Sequence, residues 1–433
     1  MIRLKSALTA LITAACVFAA PPMLDTDTLV TMALEHSPDL NISRAALEAA
    51  RQNTRRAVAG YLPRIDLSAS AGSAGVKNDA KSTRTDQSGT LIAGTLSASQ
   101  LLLDFGKTSG AICAASFEAD ASYEALSQAV SDKIYDVKRA YYDALRAQSL
   151  IRVNRENVTL NEQQLHRAER YFAAGIRTKI DVTDARVNLI DAQLKLQDAE
   201  YELRRARIAL ERVVGTAPYG GNYTLQSIDA NTSDLYGTLP PIDQPLDALE
   251  AFAYAHRPTL RQYADLTRSA EAGMDSAAGN YLPSIALQAS YTRNATDEAL
   301  ELYFPEQQWG AGVGLQWNLF EGMRSDATYR YARAEVIRSR AVYNDMKLRI
   351  QKEVADAHTM TLKRHDGVKL SQSLAEAARE KFVQARKRYE YGLSDYIELQ
   401  QARQGYINAA SSLVVHYYDF YIALARRDRA TGK

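Results

Sequence analysis

Apolar and polar positions alternate strictly in the stretch that starts at Trp309. Trp309, Ala311, Val313, Leu315, Trp317 and Leu319 face one way, and Gly310, Gly312, Gly314, Gln316 and Asn318 the other. A two-residue period is that of a strand with one apolar face. After Pro283, Ile285, Leu287, Ala289 and Tyr291 alternate with Ala286, Gln288, Ser290 and Thr292, so a hairpin is predicted over 284–320. A weaker hairpin is predicted over 64–103, from Ile65, Leu67, Ala69 and Ala71 and then Ile92, Gly94, Leu96 and Ala98. Its loop, Lys77 to Ser88, is almost wholly polar; the other loop carries Asp297, Glu298, Glu301 and Pro305.

The period changes elsewhere. Thr26 to Ala59 is alanine-rich and helix-periodic, and is predicted as one helix ending at Tyr61-Leu62-Pro63. Proline disfavours helical geometry in the residue before it, so Pro63 and Pro283 mark changes from helix to strand. The stretches from Gly106 to Gly175 and from Met323 to Gly392 are equally long, with scarcely a glycine inside and no proline. Each predicts a helix about 100 Å long at 1.5 Å per residue. No globular core is that wide. Small and aliphatic residues at three- and four-residue spacings suit coiled-coil packing side by side. Return helices are predicted from Lys179 to Val214 and from Asp395 to Arg427. Each is about half a long helix, so an opening helix and a return helix are expected to stack end to end beside each long one.

The chain is therefore written twice. Gly60-Tyr61-Leu62-Pro63 returns as Asn280-Tyr281-Leu282-Pro283, and His36-Ser37-Pro38 as His256-Arg257-Pro258, both offset by 220. Gly175 with Asp181 to Arg186 returns as Gly392 with Glu398 to Arg403, offset by 217. The length change falls in the hairpins, where loops tolerate it. The expected organisation is a first repeat over 20–214, a glycine-, proline- and asparagine-rich linker over 215–245, and a second repeat over 246–433. A duplicated unit of this size points to a pseudo-symmetric object with no single cleft.

Residues 1–19 look like a secretory signal: Arg3 and Lys5, an apolar run from Ala7 to Phe18, and Val17-Phe18-Ala19 as the cleavage site. Lipidation of Cys16 is the rival reading, although no leucine stands at the usual third position before it. Cys113, amid Ala111, Ile112, Ala114 and Ala115, is expected as a small core residue. The 52 basic and 51 acidic residues nearly cancel, so no nucleic-acid partner is indicated. Tyrosine, at 25, outnumbers phenylalanine and tryptophan together, which suits surfaces that are part apolar and part wet.

Trp309 and Trp317 would lie about 26 Å apart along one strand. Aromatic residues at both rims of an apolar band, with Tyr291 on the neighbouring strand, are what a membrane barrel needs. Four strands cannot close alone, and open edges in a bilayer cost several kcal/mol per unsatisfied group. Two copies would make a barrel filled by its own side chains; three would make twelve strands around a lumen.

These residues resemble the TolC family of outer-membrane efflux proteins over essentially the whole mature chain. The marks are the two Tyr-Leu-Pro junctions, Leu102-Leu103-Asp104-Phe105-Gly106-Lys107, Asn318-Leu319-Phe320-Glu321-Gly322, and the two glycine turns. The resemblance implies a mainly α fold with a membrane β-barrel: a homotrimer whose twelve-stranded barrel continues as an α-barrel across the periplasm. It also implies docking to a periplasmic adaptor and an inner-membrane efflux or ABC transporter, as an outer-membrane exit duct of a tripartite pump or type I secretion system.

By that resemblance Asp181, Asp184 and, from the second half, Glu398 would form a periplasmic gate, with Arg177 as its latch. Aspartates three apart share a helix face, and a three-fold ring of them would favour cations. The competing reading of Asp181 is a capping box with Thr178. The family pattern Arg-Thr-x-x-Asp-x-x-Asp belongs to the second half, whereas here it stands in the first. Gly175, Ile176, Gly392, Leu393 and Ser394 would be the tips that touch the adaptor. Equally, Gly392 would end a helix in left-handed geometry and Ser394 would cap the next one.

The six histidines make no metal pair at short helical spacing, and no nucleophile elbow, phosphate loop or zinc motif occurs. No enzyme activity, cofactor or metal is expected. A periplasmic coiled-coil adaptor or scaffold without a barrel remains the alternative, and the alternation from Trp309 to Leu319 argues against it.

Overall fold

The computed structural model describes residues 23–78, 85–176, 178–216, 223–226, 234–296, 298 and 304–433. The signal segment, Cys16, Arg177, Asp297, Glu301 and parts of the 64–103 hairpin loop and of the 215–245 linker lie outside the described residues.

The first repeat runs β1 (Met23–Leu24), α1 (Thr26–His36), α2 (Pro38–Val58), β2 (Arg64–Asn78), β3 (Thr85–Leu103), α3 (Lys107–Ala173) and α4 (Lys179–Val214). After β4 (Thr224–Leu225) the second runs α5 (Leu246–His256), α6 (Pro258–Ala278), β5 (Ser284–Thr296), β6 (Gln307–Gln316), α7 (Arg324–Glu390) and α8 (Tyr396–Thr431). Corresponding helices match in length: 67 residues for α3 and α7, 36 for α4 and α8.

The opening helix is broken where the sequence reading ran it through. Ser37 and Arg257 are extended, and Pro38 and Pro258 begin new helices. Proline lacks the N–H that would continue the ladder and pushes its predecessor out of helical geometry. The same rule operates at the strand entries, where Leu62 and Leu282 are extended before Pro63 and Pro283.

The chain divides into two compact units. One comprises the described residues of Met1–Ser37, Lys133–Ile242 and Thr359–Arg426. Its core gathers Leu29, Ala33, Val137, Tyr141, Leu145, Leu210, Val214, Val368, Tyr417, Tyr418 and Phe420. The tyrosines are buried with their hydroxyls engaged: Tyr141 donates to the Gln226 carbonyl at 2.6 Å, and Tyr418 lies 3.0 Å from Ser149 Oγ. Among them Asp419 receives Arg146 at 2.7 Å and Arg364 at 3.1 Å. The linker is pinned to this unit, because β1 pairs in parallel with β4 and the Tyr236 N–H donates to Gln372 Oε1 at 2.9 Å.

The other unit comprises Pro38–Asp132, Asp243–His358 and Arg427–Lys433. It holds a four-stranded antiparallel sheet in the order β2-β3-β5-β6, in which the two hairpins are joined by β3 and β5. Below the sheet, α3 and α6 approach closely. A Cβ on Gly110 would stand 2.6 Å from the Ser276 nitrogen. Arg257 is buried, donating to the Ala430 carbonyl at 2.9 Å and to Glu353 at 2.5 Å.

Two further expectations are corrected. Cys113 is exposed, and the buried position is Ala115. Two residues turn a helix by about 200°, which places them on opposite faces. The last strand ends at Gln316, so Trp317 lies just beyond it and its Nε1 donates to the Tyr281 carbonyl at 3.1 Å.

Candidate functional site

The sheet carries one apolar row and one polar row at neighbouring registers. Leu67 pairs with Leu96, Leu96 with Tyr291 and Tyr291 with Trp309, a line across all four strands. Leu67 and Trp309 are each 78% exposed. One step along, Asp66, Ser97, Ser290 and Gly310 make the polar row. The period of two that placed Tyr291 and Trp309 on one face in the sequence therefore aligns them across strands.

The two helix turns of the other unit are built alike. At the end of α3, Ile176 N–H donates to the Tyr171 carbonyl at 2.9 Å and Gly175 N–H to Phe172 at 3.0 Å. At the end of α7, Leu393 donates to Arg388 at 2.8 Å and Gly392 to Tyr389 at 3.1 Å. Both are Schellman motifs, which need a left-handed residue. Gly175 and Gly392 supply it at φ 71° and 73°. The residues after them are left in solvent, with Ile176 67% and Leu393 69% exposed.

The helix starts differ. Asp181 Oδ2 accepts from both the Thr178 N–H and the Thr178 hydroxyl at 3.0 Å, the capping arrangement read as its alternative. At the start of α8 the cap is Asp395, whose Oδ1 accepts from the Glu398 N–H at 2.8 Å. Ser394, expected as that cap, instead has a buried hydroxyl without a hydrogen-bond partner among the described residues. Aspartate takes the cap because it stands directly before the helix, where its side-chain oxygen reaches the N–H of the third helical residue. Glu398 pairs with Arg388 of α7 at 2.8 Å.

Asp184 is exposed, one helical turn beyond Asp181. It faces a polar cluster that sequence reasoning missed. Asn188 Nδ2 donates to the Tyr396 hydroxyl at 2.9 Å, and Gln400 Nε2 donates to Asn188 Oδ1 at 2.8 Å, tying α4 to α8. Burial pushes the Tyr396 hydroxyl up; the Asn188 bond and Arg403 pull it down, and the charge of Asp184 adds to the rise. The only sequence signal was the spacing of Asn188, seven residues past Asp181 on the same face.

The family model for outer membrane efflux proteins matches residues 29–216 and 252–433. The chain belongs to the outer membrane efflux protein family. It is 26% identical over 397 residues to the protein CyaE of Bordetella pertussis, covering 89% of this chain and 79% of the relative. It is 22% identical over 378 residues to the cation efflux system protein CusC of Escherichia coli, covering 87% and 79%. Among solved structures, the outer-membrane channel OprN superposes with a TM-score of 0.81 at 21% identity, covering 94% of this chain and 89% of that one. The outer membrane protein VceC of Vibrio cholerae gives 0.79 at 20%, covering 94% and 96%.

Family membership decides between the two readings left open by the sequence. This is an outer-membrane channel protein of efflux or secretion, with a large periplasmic portion, and not an adaptor without a barrel. No helix among the described residues is long and apolar enough to cross a membrane. The membrane segment of this fold is the sheet.

Proposed function

We propose that the chain is the exit duct of a tripartite efflux pump or type I secretion system and works as a homotrimer. The sheet carries this reading. Its outer strands β2 and β6 each have one neighbour among the described residues, and its apolar row is exposed. In lipid such edges demand partners. Three copies supply twelve strands, enough for a lumen lined by the row of Asp66, Ser97, Ser290 and Gly310. Trp309, Trp317 and Tyr291 would then form the girdle at the lipid interface.

The turns at Gly175–Ile176 and Gly392–Ser394 present small and apolar groups to a periplasmic adaptor, and an inner-membrane efflux or ABC transporter supplies the driving force. Asp181, Asp184 and Glu398 would ring the periplasmic mouth, where repeated three-fold the carboxylates favour cations. The duct itself needs no catalytic group.

Membrane fractionation, heat-modifiable migration and mass measurement in detergent test this. An outer-membrane species of three chains that unfolds to a monomer on heating is expected. A soluble periplasmic protein, or a monomer in detergent, would overturn it.

A further inference from the structure

A small cavity in the unit that holds the helix turns is lined by Leu160, Gln164 and Arg167 of α3, Phe382 and Arg386 of α7, and Arg403 of α8, among others. It has a volume of about 20 Å³, room for one water or one monatomic ion. Nε of Arg386, Nε of Arg403 and Nε2 of Gln164 are buried and have no hydrogen-bond partner among the described residues. All three are donors, and a guanidinium has no acceptor to offer in exchange.

The charge is unbalanced as well. Arg167 pairs with Glu390 at 3.1 Å, and Arg386 stands 4.0 Å from the same carboxylate. Arg403 is 6% exposed, and burial holds its guanidinium below the ordinary range, opposed only by the Tyr396 hydroxyl. Arg167 and Arg386, the latter with its side chain 43% exposed, thus share Glu390, and the buried Arg403 has no carboxylate partner among the described residues. A buried cation without a counter-charge is costly unless something neutralises it. A water fits the space but brings no charge and accepts from only two donors.

We propose that this cavity binds a single halide ion, held by Arg403 and Arg386 with Gln164 as the third donor. The ion joins α3, α7 and α8 just below the turn at Gly392, and neutralises the arginine that follows the Tyr396 cluster.

Crystals of the full-length protein soaked in sodium bromide provide the direct test. An anomalous peak in the cavity beside Arg403 Nε is expected. In detergent, replacing sodium gluconate by sodium chloride at constant ionic strength should raise the unfolding midpoint by about 2 °C. Arg403→Gln should abolish that rise, and Arg386→Gln should reduce it. Sulfate, too large for the space, should not substitute. Density without anomalous signal, marking a water, would overturn the proposal, as would a midpoint indifferent to halide or raised equally by sulfate. The bromide experiment uses the unaltered protein, so the result does not depend on either variant folding.

Discussion

Asp181 and Glu398 occupy equivalent places in the two halves and have different partners. Asp181 turns back onto Thr178 at 3.0 Å, while Glu398 reaches across to Arg388 of α7 at 2.8 Å. A cap on its own helix end holds one helix; an ion pair between helices holds two. The asymmetry separates the structural part of each acid from the part in conduction proposed for it.

Asp184 makes no cap, so its replacement isolates conduction. Asp184→Ala is expected to weaken cation preference and cation block in bilayer conductance while leaving thermal stability unchanged. Asp181→Ala should do the same and also cost about 1 kcal/mol through loss of the cap. Wild-type selectivity in the double variant would retire the gate.

The strand-to-helix junctions each take two successive left-handed residues, with glycine at one. Phe105 and Gly106 have φ of 53° and 103°; Gly322 and Met323 have 61° and 67°. A side chain in this region costs about 1–2 kcal/mol. Met323→Gly should therefore be neutral or slightly stabilising, since relief of strain offsets the added chain entropy. Gly106→Val should lower the unfolding midpoint. Thermal melts in detergent compare them.

Gly110 holds α3 against α6. A methyl group there would meet the Ser276 nitrogen at 2.6 Å and the Ala272 carbonyl oxygen at 2.9 Å, backbone atoms that cannot swing aside. Gly110→Ala should destabilise by about 1–3 kcal/mol, as overpacking does. Gly273→Ala, with open space around it, should not destabilise. Equal melting of the two variants would refute the close approach.

Tyr396 gives an alkaline limit. Burial raises its folded-state value above the ordinary 10.0. The raised value means that its stabilising contribution is whole below pH 10 and is lost as the pH climbs from there through the folded value. Melting temperatures should fall above pH 10, less steeply in Tyr396→Phe. The phenylalanine variant should start lower at neutral pH, having lost the bond from Asn188. An unchanged slope would show that other tyrosines carry the effect.

Much of the fold was legible because it rests on short-range rules. Leu62 before Pro63 and Leu282 before Pro283 had to leave the helix, and the alternation from Trp309 had to be a strand. The break at Ser37 was legible in principle from Pro38; the alanine-rich periodicity on both sides hid it. Cys113 was misplaced because a run of small residues carries no clear face, whereas the two-residue step to Ala115 decides burial.

What the sequence by itself determined is the repeat, the length of the two long helices, the strand faces and the turns at Gly175 and Gly392. Each depends on backbone hydrogen bonds and dihedral preferences within a few residues. Only the tertiary structure decided which side chains meet: β3 against β5, Asn188 with Tyr396, Glu398 with Arg388, and Arg403 buried without a carboxylate. Those contacts join segments far apart in the chain, and no local preference sets which helix faces which.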